Sequence, residues 1–409
     1  MRLCLIGASL KHSYSPAIHG LIAADAYEYG LKELKPEQLG AFVQSAEYDG
    51  FNVTIPYKKD VMKYLSALDK SAELCGAVNT VVRRGERLIG FNTDFDGFKY
   101  LLKDNGIAVR DKRAVILGTG GTSATVIAVL TALGARSITT VSRSGNVDYG
   151  NYAAHCADAD ILVNTSPVGM YPKNGECLVD LACFENLSAV VDVIYNPLIT
   201  RLGFAAIMRG IKYCNGLAML VAQAKYASDI FLGQSGDDGV IERAKNAIEK
   251  ETRNIVLVGM PGSGKTSIGR LVAEKLGREF VDTDAEVERQ EGIRISEIFE
   301  KNGEEYFRAK ESSAAENAGK KNGAVISTGG GILLDRENFY RLKQNGLIIY
   351  VKRGLNLLAS SGRPLSLKCK PEELFAARRH LYEEYSDVCI ENDGSLKAAA
   401  EKIYSAINK

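Results

Sequence analysis

Excess charge is what this sequence lacks first: 51 Lys and Arg stand against 50 Asp and Glu, a net of +1 over 409 residues. So even a balance removes the electrostatic case for a nucleic-acid or membrane-surface partner. There is no C-x-x-C pair among the eight cysteines, and only four histidines are present. Scattered cysteines read as reduced thiols of a cytoplasmic protein, with neither a disulfide framework nor a zinc site. Long apolar runs are missing too. The one in MRLCLIGASLKHS is too short for a signal peptide. Residues 114–135 carry no charge, but their Gly-Thr-Gly-Gly-Thr-Ser turn excludes a membrane span. No low-complexity tract or short-period repeat appears.

What is present is a globular composition, 46% hydrophobic and 25% charged, on a chain too long for one core. Strand-like and helix-like patches alternate from LCLIGAS through FNVTIPY, RAVILG, ITTVSR and SAVVDVIY. That alternation predicts an α/β protein with parallel, doubly wound sheets. GQSGDDG is turn chemistry, and the helix after it, with Val240, Ile241, Ala244 and Ile248 on one face, closes the first half near residue 250.

Beyond that boundary a short buried strand, NIVLV, runs into G-x-x-x-x-G-K-T. Gly259, Gly262, Ser263 and Gly264 would wrap a phosphate chain at a helix N-terminus. Lys265 would reach the β/γ-phosphates and Thr266 would ligate Mg²⁺. Asp282 and Asp284 follow the next strand. Thr283 and Glu286 have the spacing of a capping box, but two carboxylates beyond a phosphate loop also suit Mg²⁺ binding and hydroxyl activation. Gly329, Gly330 and Gly331 follow another strand and permit close approach to a ligand.

In the first half, Ser15 and Pro16 read as an N-cap and a first helical residue; with Ser13 they would also suit a carboxylate. The loop Gly118, Gly120, Gly121 lies between a strand and a helix, as dinucleotide loops do, with Ser123 where a third glycine would stand. The next strand ends at Arg143 between Ser142 and Ser144, which favours a 2′-phosphate, hence NADP over NAD.

SLKHSYSPAIH, FNVTIPYKK, GAVNTV, GFNTD, LGTGG, NTSPVGM, DVIYNPLITRL and NGLAMLVAQA occur in an order that resembles the shikimate dehydrogenase family over residues 1–250. The resemblance implies a two-lobed enzyme: a substrate lobe at 1–97 with returning helices at 217–250, and a Rossmann-like NADP lobe at 98–216. It makes Lys58 and Asp94 the catalytic pair. Ser13 and Ser15 would hold the substrate carboxylate, and Thr54, Asn79, Asp94 and Gln223 the ring hydroxyls, with Tyr195 lining the cleft. Asn164, Thr165, Ser166, Met170 and Gly216 would border the nicotinamide.

GMPGSGKTSIGR, FVDTD, YFRAKE, STGGG, SGRPL and RRHLYEEYSDV resemble shikimate kinase, a P-loop fold with a flanked parallel sheet, over 252–409. The implied roles are Mg²⁺ for Thr266 and Asp282, base and hydroxyl acceptor for Asp284, and carboxylate clamping for Arg308 and Arg378. Gly329–Gly331 would border the ring, and Arg363 would stabilise the transferring phosphoryl group. An adenylate-kinase-like domain is the runner-up, and it has no use for the paired aspartates or the glycine triplet. A nucleotide-sensing module would need the loop alone, and a quinate-type dehydrogenase is the nearest variant of the first half. Together the resemblances imply a cytoplasmic bifunctional enzyme that reduces 3-dehydroshikimate with NADPH and phosphorylates shikimate with ATP. Its partners would be small molecules, with room for a homodimer. Arg143→Ala should therefore raise KM for NADPH far more than KM for NADH; equal losses would remove the 2′-phosphate assignment.

Overall fold

Three sheets carry the alternating runs, in a computed structural model that describes residues 1–10, 13–23, 25–358 and 371–408. They belong to two units, Met1–Ile248 and Glu249–Lys409.

The first unit contains two sheets. One has the order Glu28–Glu33, Arg2–Gly7, Gly50–Val53, Thr80–Arg84, Arg87–Phe91, Ala67–Leu68. Its central strands are buried on both faces, around Cys4, Ile6, Phe51, Val53 and Val81. This sheet is mixed: Gly50–Val53 pairs antiparallel with Thr80–Arg84, and Thr80–Arg84 pairs antiparallel with Arg87–Phe91. The second pairing is a hairpin closed by Gly85 and Glu86 alone, and Gly85 takes the positive φ (63°) that such a tight turn demands. The expectation of parallel sheets thus holds for the other two and fails at strand Thr80–Arg84, which runs against both of its neighbours.

The unit's second sheet is wholly parallel, in the order Lys212–Cys214, Ala189–Asp192, Ile161–Asn164, Arg113–Leu117, Ser137–Val141. Its chain order reverses between Ile161–Asn164 and Arg113–Leu117, the switch point at which such sheets open a ligand crevice. Helix Thr93–Asp104 starts beside the first sheet and packs Phe98, Leu101 and Leu102 against Ile116 and Val163 of the second. A division at 97/98 therefore falls inside a helix. Gly97 lets helix Leu217–Leu232 come close, because a Cβ there would lie 2.8 Å from the Met219 carbonyl oxygen.

In the second unit five parallel strands run Phe280–Asp282, Val325–Ser327, Asn254–Val258, Gly346–Lys352, Val388–Glu391. Helices Lys265–Leu276 and Leu396–Ile407 bury Ile268, Val272, Ala399 and Ile403 on one face. Helix Ile295–Gly319 ends hard against helix Arg336–Lys343: a Cβ on Gly319 would stand 1.8 Å from the Arg341 carbonyl oxygen. Gly319→Ala should destabilise this unit by about 1–3 kcal/mol, the usual range for overpacking. Calorimetry should show its transition moving down while that of the first unit stays in place. An unchanged thermogram would show that the two helices are less tightly docked.

Candidate active sites

In the first unit, a cavity of about 420 Å³ opens at the strand ends of the first sheet. Lys58, just beyond Gly50–Val53, reaches Asp94 in the first turn of helix Thr93–Asp104, with Nζ 2.6 Å from Oδ2. Both side chains are partly exposed, at 24% and 14%, and both line the cavity, so the pair meets a ligand directly. The Lys58 carbonyl accepts from the Val78 N–H, which fixes where the lysine departs from the backbone.

Thr54, Asn79 and Gln223 line the same cavity. Asn79 is buried, and its Oδ1 accepts from the Thr93 N–H at 2.7 Å and from the Thr80 hydroxyl at 3.0 Å. Its Nδ2 is thereby turned towards Gln223, 3.5 Å away, so Asn79 offers the cavity donors. Behind Thr80 the chain of bonds continues: Asn52 Nδ2 donates to the Thr80 hydroxyl, and the Tyr29 hydroxyl donates to Asn52 Oδ1. His19 stacks on Tyr29 at 3.8 Å, and its Nδ1 lies 2.7 Å from the Tyr27 hydroxyl. Burial pushes this imidazole down to about 3, so it is neutral.

Ser13, Ser15 and Tyr195 line the cavity with Tyr14, which meets Tyr195 edge to face at 6.0 Å. Ser13 Oγ accepts from the Ser15 N–H, and Ser15 is the first residue of helix Ser15–Ala23. Ser13 thus holds the orphan N–H, where a cap by Ser15 was expected. A hydroxyl pair at a helix N-terminus remains a good carboxylate seat.

The nucleotide loop leaves strand Arg113–Leu117 at Gly118, whose φ is 105°. Nothing lies within 4 Å of a Cβ built on Gly120 or Gly121, so the start of helix Gly121–Ala132 faces open space. Ser142 is buried and Arg143 exposed beyond strand Ser137–Val141. Asn164 and Thr165 stand at the switch point, and the Thr165 hydroxyl donates to the Leu117 carbonyl at 2.8 Å. Ser166 and the exposed Met170 follow them. Gly216 lines the cavity and admits no side chain, since a Cβ would lie 2.0 Å from the Val193 carbonyl oxygen.

In the second unit, Gly259, Gly262 and Gly264 all have positive φ (143°, 86°, 94°), the curvature that turns peptide N–H groups inward. Ser263 is buried with an Oγ that finds no partner among the described residues. The Lys265 ammonium donates to the Gly259 and Met260 carbonyls, and so lies over the loop. Thr266 donates to Asp282 Oδ2 at 2.7 Å, while Asp282 Oδ1 caps helix Thr283–Glu291 by accepting from the Asp284 and Ala285 N–H groups. The capping box of Thr283 and Glu286 does not form. Thr283 Oγ1 instead accepts from the Gly329 N–H, and Glu286 pairs with Arg289.

Burial, and then the charges of Asp282 and Glu311, push the Asp284 carboxyl up to about 7, and its Oδ1 has no hydrogen-bond partner among the described residues. Each glycine of the triplet yields to a neighbour: a Cβ on Gly329 would press on Asp284 Oδ1 and Glu311 Oε1, on Gly330 on Pro261, and on Gly331 on the Arg308 guanidinium. Arg378, on helix Pro371–Tyr385, is buried. Arg363 lies outside the described residues. Sequence reasoning missed two residues here. Glu311 is buried and holds Arg308 at 2.6 Å, and the Tyr382 hydroxyl donates to the Gly330 carbonyl. The spacing of three between Arg308 and Glu311 was a signal for the first.

The residues fit the groups they are expected to hold. A glycine cradle, a lysine over it and an unpartnered buried serine hydroxyl suit a triphosphate. The hydroxyl and carboxylate of Thr266 and Asp282 suit Mg²⁺, which shares its shell with phosphates and water. No set of three His, Cys, Asp or Glu among the described residues could hold a metal alone. No helix among them is long and apolar enough to cross a membrane.

Comparisons with known proteins agree with this division. The family model for the shikimate dehydrogenase substrate binding domain matches residues 5–81, and that for shikimate kinase matches residues 261–408. The shikimate dehydrogenase (NADP(+)) of Clostridium beijerinckii is 37% identical over 60% of this chain and 97% of its own. A chorismate mutase/shikimate 5-dehydrogenase fusion protein from Clostridium acetobutylicum is 34% identical with a TM-score of 0.59, over 61% of this chain and 97% of its own. Shikimate 5-dehydrogenase from Thermus thermophilus, solved with NADP(H) and shikimate, is 28% identical with a TM-score of 0.55, over 60% and 99%.

The buried imidazole gives a pH test. In the unfolded chain His19 titrates near 6.5 and in the native state at about 3, so between those values the unfolded chain binds more protons. Stability therefore falls as pH drops below 6.5, by about 2 kcal/mol from this group at pH 5. His19→Gln should be less stable than the parent at pH 7.5 and recover most of that deficit at pH 5, read by urea unfolding. A deficit independent of pH would show that the imidazole is not held neutral.

Proposed function

We propose how the two sites act from one premise: the chain belongs to the shikimate dehydrogenase family over its first unit and carries a shikimate kinase domain in its second. It is a bifunctional shikimate-pathway enzyme, an NADP-dependent dehydrogenase joined to an ATP- and Mg²⁺-dependent kinase. The substrate lobe comprises residues 1–97 and 217–250, the NADP lobe 98–216, and the kinase 252–409.

The observation that carries the dehydrogenase assignment is the 2.6 Å Lys58–Asp94 pair facing the cavity. NADPH, when bound, supplies the hydride to the ketone carbon of 3-dehydroshikimate. The carbonyl π electrons pass to oxygen, which takes a proton from Lys58 Nζ; solvent restores that proton. Asp94 orients the ammonium and accepts from a ring hydroxyl, so the donor is aligned before charge develops. Asn79 presents its amide N–H groups to ring oxygens, and Thr54 and Gln223 take the remaining hydroxyls. Ser13 and Ser15 hold the substrate carboxylate, away from the reacting carbon. On the cofactor side, Arg143 and Ser142 meet the 2′-phosphate, and residues 164–166, Met170 and Gly216 border the nicotinamide. Free thiols at the seven described cysteines favour a cytoplasmic location.

In the kinase, Asp284 accepts the proton of the shikimate 3-hydroxyl as that oxygen attacks the γ-phosphorus of ATP, and the bond from that phosphorus to the β–γ bridging oxygen breaks, with ADP leaving. A carboxylate raised to about 7 is a competent base at neutral pH. Arg308 and Arg378 clamp the substrate carboxylate, and the bare backbone of Gly329–Gly331 admits the ring. Lys265 and the loop N–H groups hold the phosphates, with Thr266 and Asp282 on Mg²⁺, whose charge offsets that of the phosphates. Arg363, by its place in SGRPL, is assigned to the transferring phosphoryl group.

The full chain given 3-dehydroshikimate, NADPH, ATP and Mg²⁺ should form shikimate 3-phosphate. Lys58→Ala should lower the reduction rate by about 10²–10⁴ and leave phosphorylation of added shikimate at parental rate. Loss of both activities would break the two-site assignment.

A further inference from the structure

Asp192 is wholly buried at the end of strand Ala189–Asp192, and the steps above do not use it. Parallel register sets it beside Asn164, the last residue of the neighbouring strand. Its oxygens accept from three donors: Oδ1 from Asn164 Nδ2 and the Ile194 N–H, both at 3.0 Å, and Oδ2 from the Thr200 hydroxyl at 2.7 Å.

Two segments are fixed by this one carboxylate. Because the Asn164 amide nitrogen faces Asp192, its oxygen faces forward and accepts from the Ser166 N–H (3.1 Å) and hydroxyl (2.7 Å). That closes the turn leading to Met170. On the other side, the bond from Ile194 sets the residue that precedes Tyr195 in the cavity wall. A backbone bond from Tyr171 N–H to the Asn196 carbonyl, 3.0 Å, ties the same two segments again. Burial pushes the Asp192 carboxyl up to about 7, so an ionisable group is retained here against its desolvation.

We propose that Asp192 is a positioning residue for hydride transfer, locking the cofactor-side turn 164–170 to the substrate-side segment 194–196 so that nicotinamide and ring carbon meet at a fixed separation. The proposal rests on the dehydrogenase reading. A buried staple that only stabilises the NADP lobe would make the same bonds, and the test separates the two. Asp192→Asn in the full chain keeps size while placing a donor among three donors. Four quantities are measured: kcat for reduction of 3-dehydroshikimate, the deuterium isotope effect with NADPH labelled at the transferred hydride, binding of 2′,5′-ADP by calorimetry, and the melting temperature. The expected result is a 10- to 100-fold lower kcat and a larger isotope effect, with 2′,5′-ADP affinity within twofold, since that probe occupies only the Arg143 end. Parental kcat and isotope effect overturn the proposal. So does a variant that loses 2′,5′-ADP binding and melting temperature along with kcat, or fails to fold, which leaves a staple only. A parent chain that cannot reduce 3-dehydroshikimate would instead sink the dehydrogenase reading beneath it.

Discussion

Where strands stop, their last peptide groups take hydrogen bonds from nearby side chains, and this coupling organises the active sites of both units. At the switch point the Leu117 carbonyl accepts from both the N–H and the hydroxyl of Thr165, and in the kinase the Leu257 carbonyl accepts from both groups of Thr328. The Gly329 N–H finds the Thr283 hydroxyl, and the Asn79 carbonyl, which accepts from the Val53 N–H, receives the Asn52 amide as well. Leaving the Gly329 N–H buried and unpaired would cost about 1–3 kcal/mol. The side chains that answer these peptide groups are therefore held in single orientations. Polar residues near the ligand are rigid because the backbone behind them needs them.

The units prepare proton transfer in opposite ways. In the dehydrogenase a cation and an anion are set in contact in a half-open cavity, so the lysine is aimed by its partner. In the kinase Asp284 is removed from water and has Asp282 and Glu311 nearby; burial first, and then those charges, lift its affinity for a proton. One site relies on attraction; the other relies on burial and crowded like charge, which bring its carboxyl up to about 7.

Legibility from sequence tracked locality. The phosphate loop was readable because its work is done by consecutive backbone groups, and positive φ at Gly259, Gly262 and Gly264 follows from their spacing. The Lys58–Asp94 contact spans 36 residues and the Asn164–Asp192 contact 28, so both depend on how strands and helices align, which periodicity does not fix. The family resemblance supplied the first pair and was silent on the second. Local rules also misled where two candidates adjoined. Asp282 and Thr283 are both good caps, and Asp282 prevailed because its carboxylate reaches two N–H groups. The Gly85–Glu86 hairpin was hidden in an arginine-rich stretch that reads as surface, and the strand that enters it, Thr80–Arg84, runs against its neighbours and makes the first sheet mixed.

The glycine triplet has a consequence for how this site can be mapped. Alanine scanning infers a residue's worth from what its removal deletes, and glycine has nothing to delete. At 329, 330 and 331 an alanine adds matter, and each addition lands on a different object: a pair of carboxylates, the ring of Pro261, a guanidinium. The three positions act as a built-in caliper. A single methyl, moved along three consecutive residues, displaces the carboxylates, the loop and the guanidinium one at a time, and reports on each without altering its chemistry.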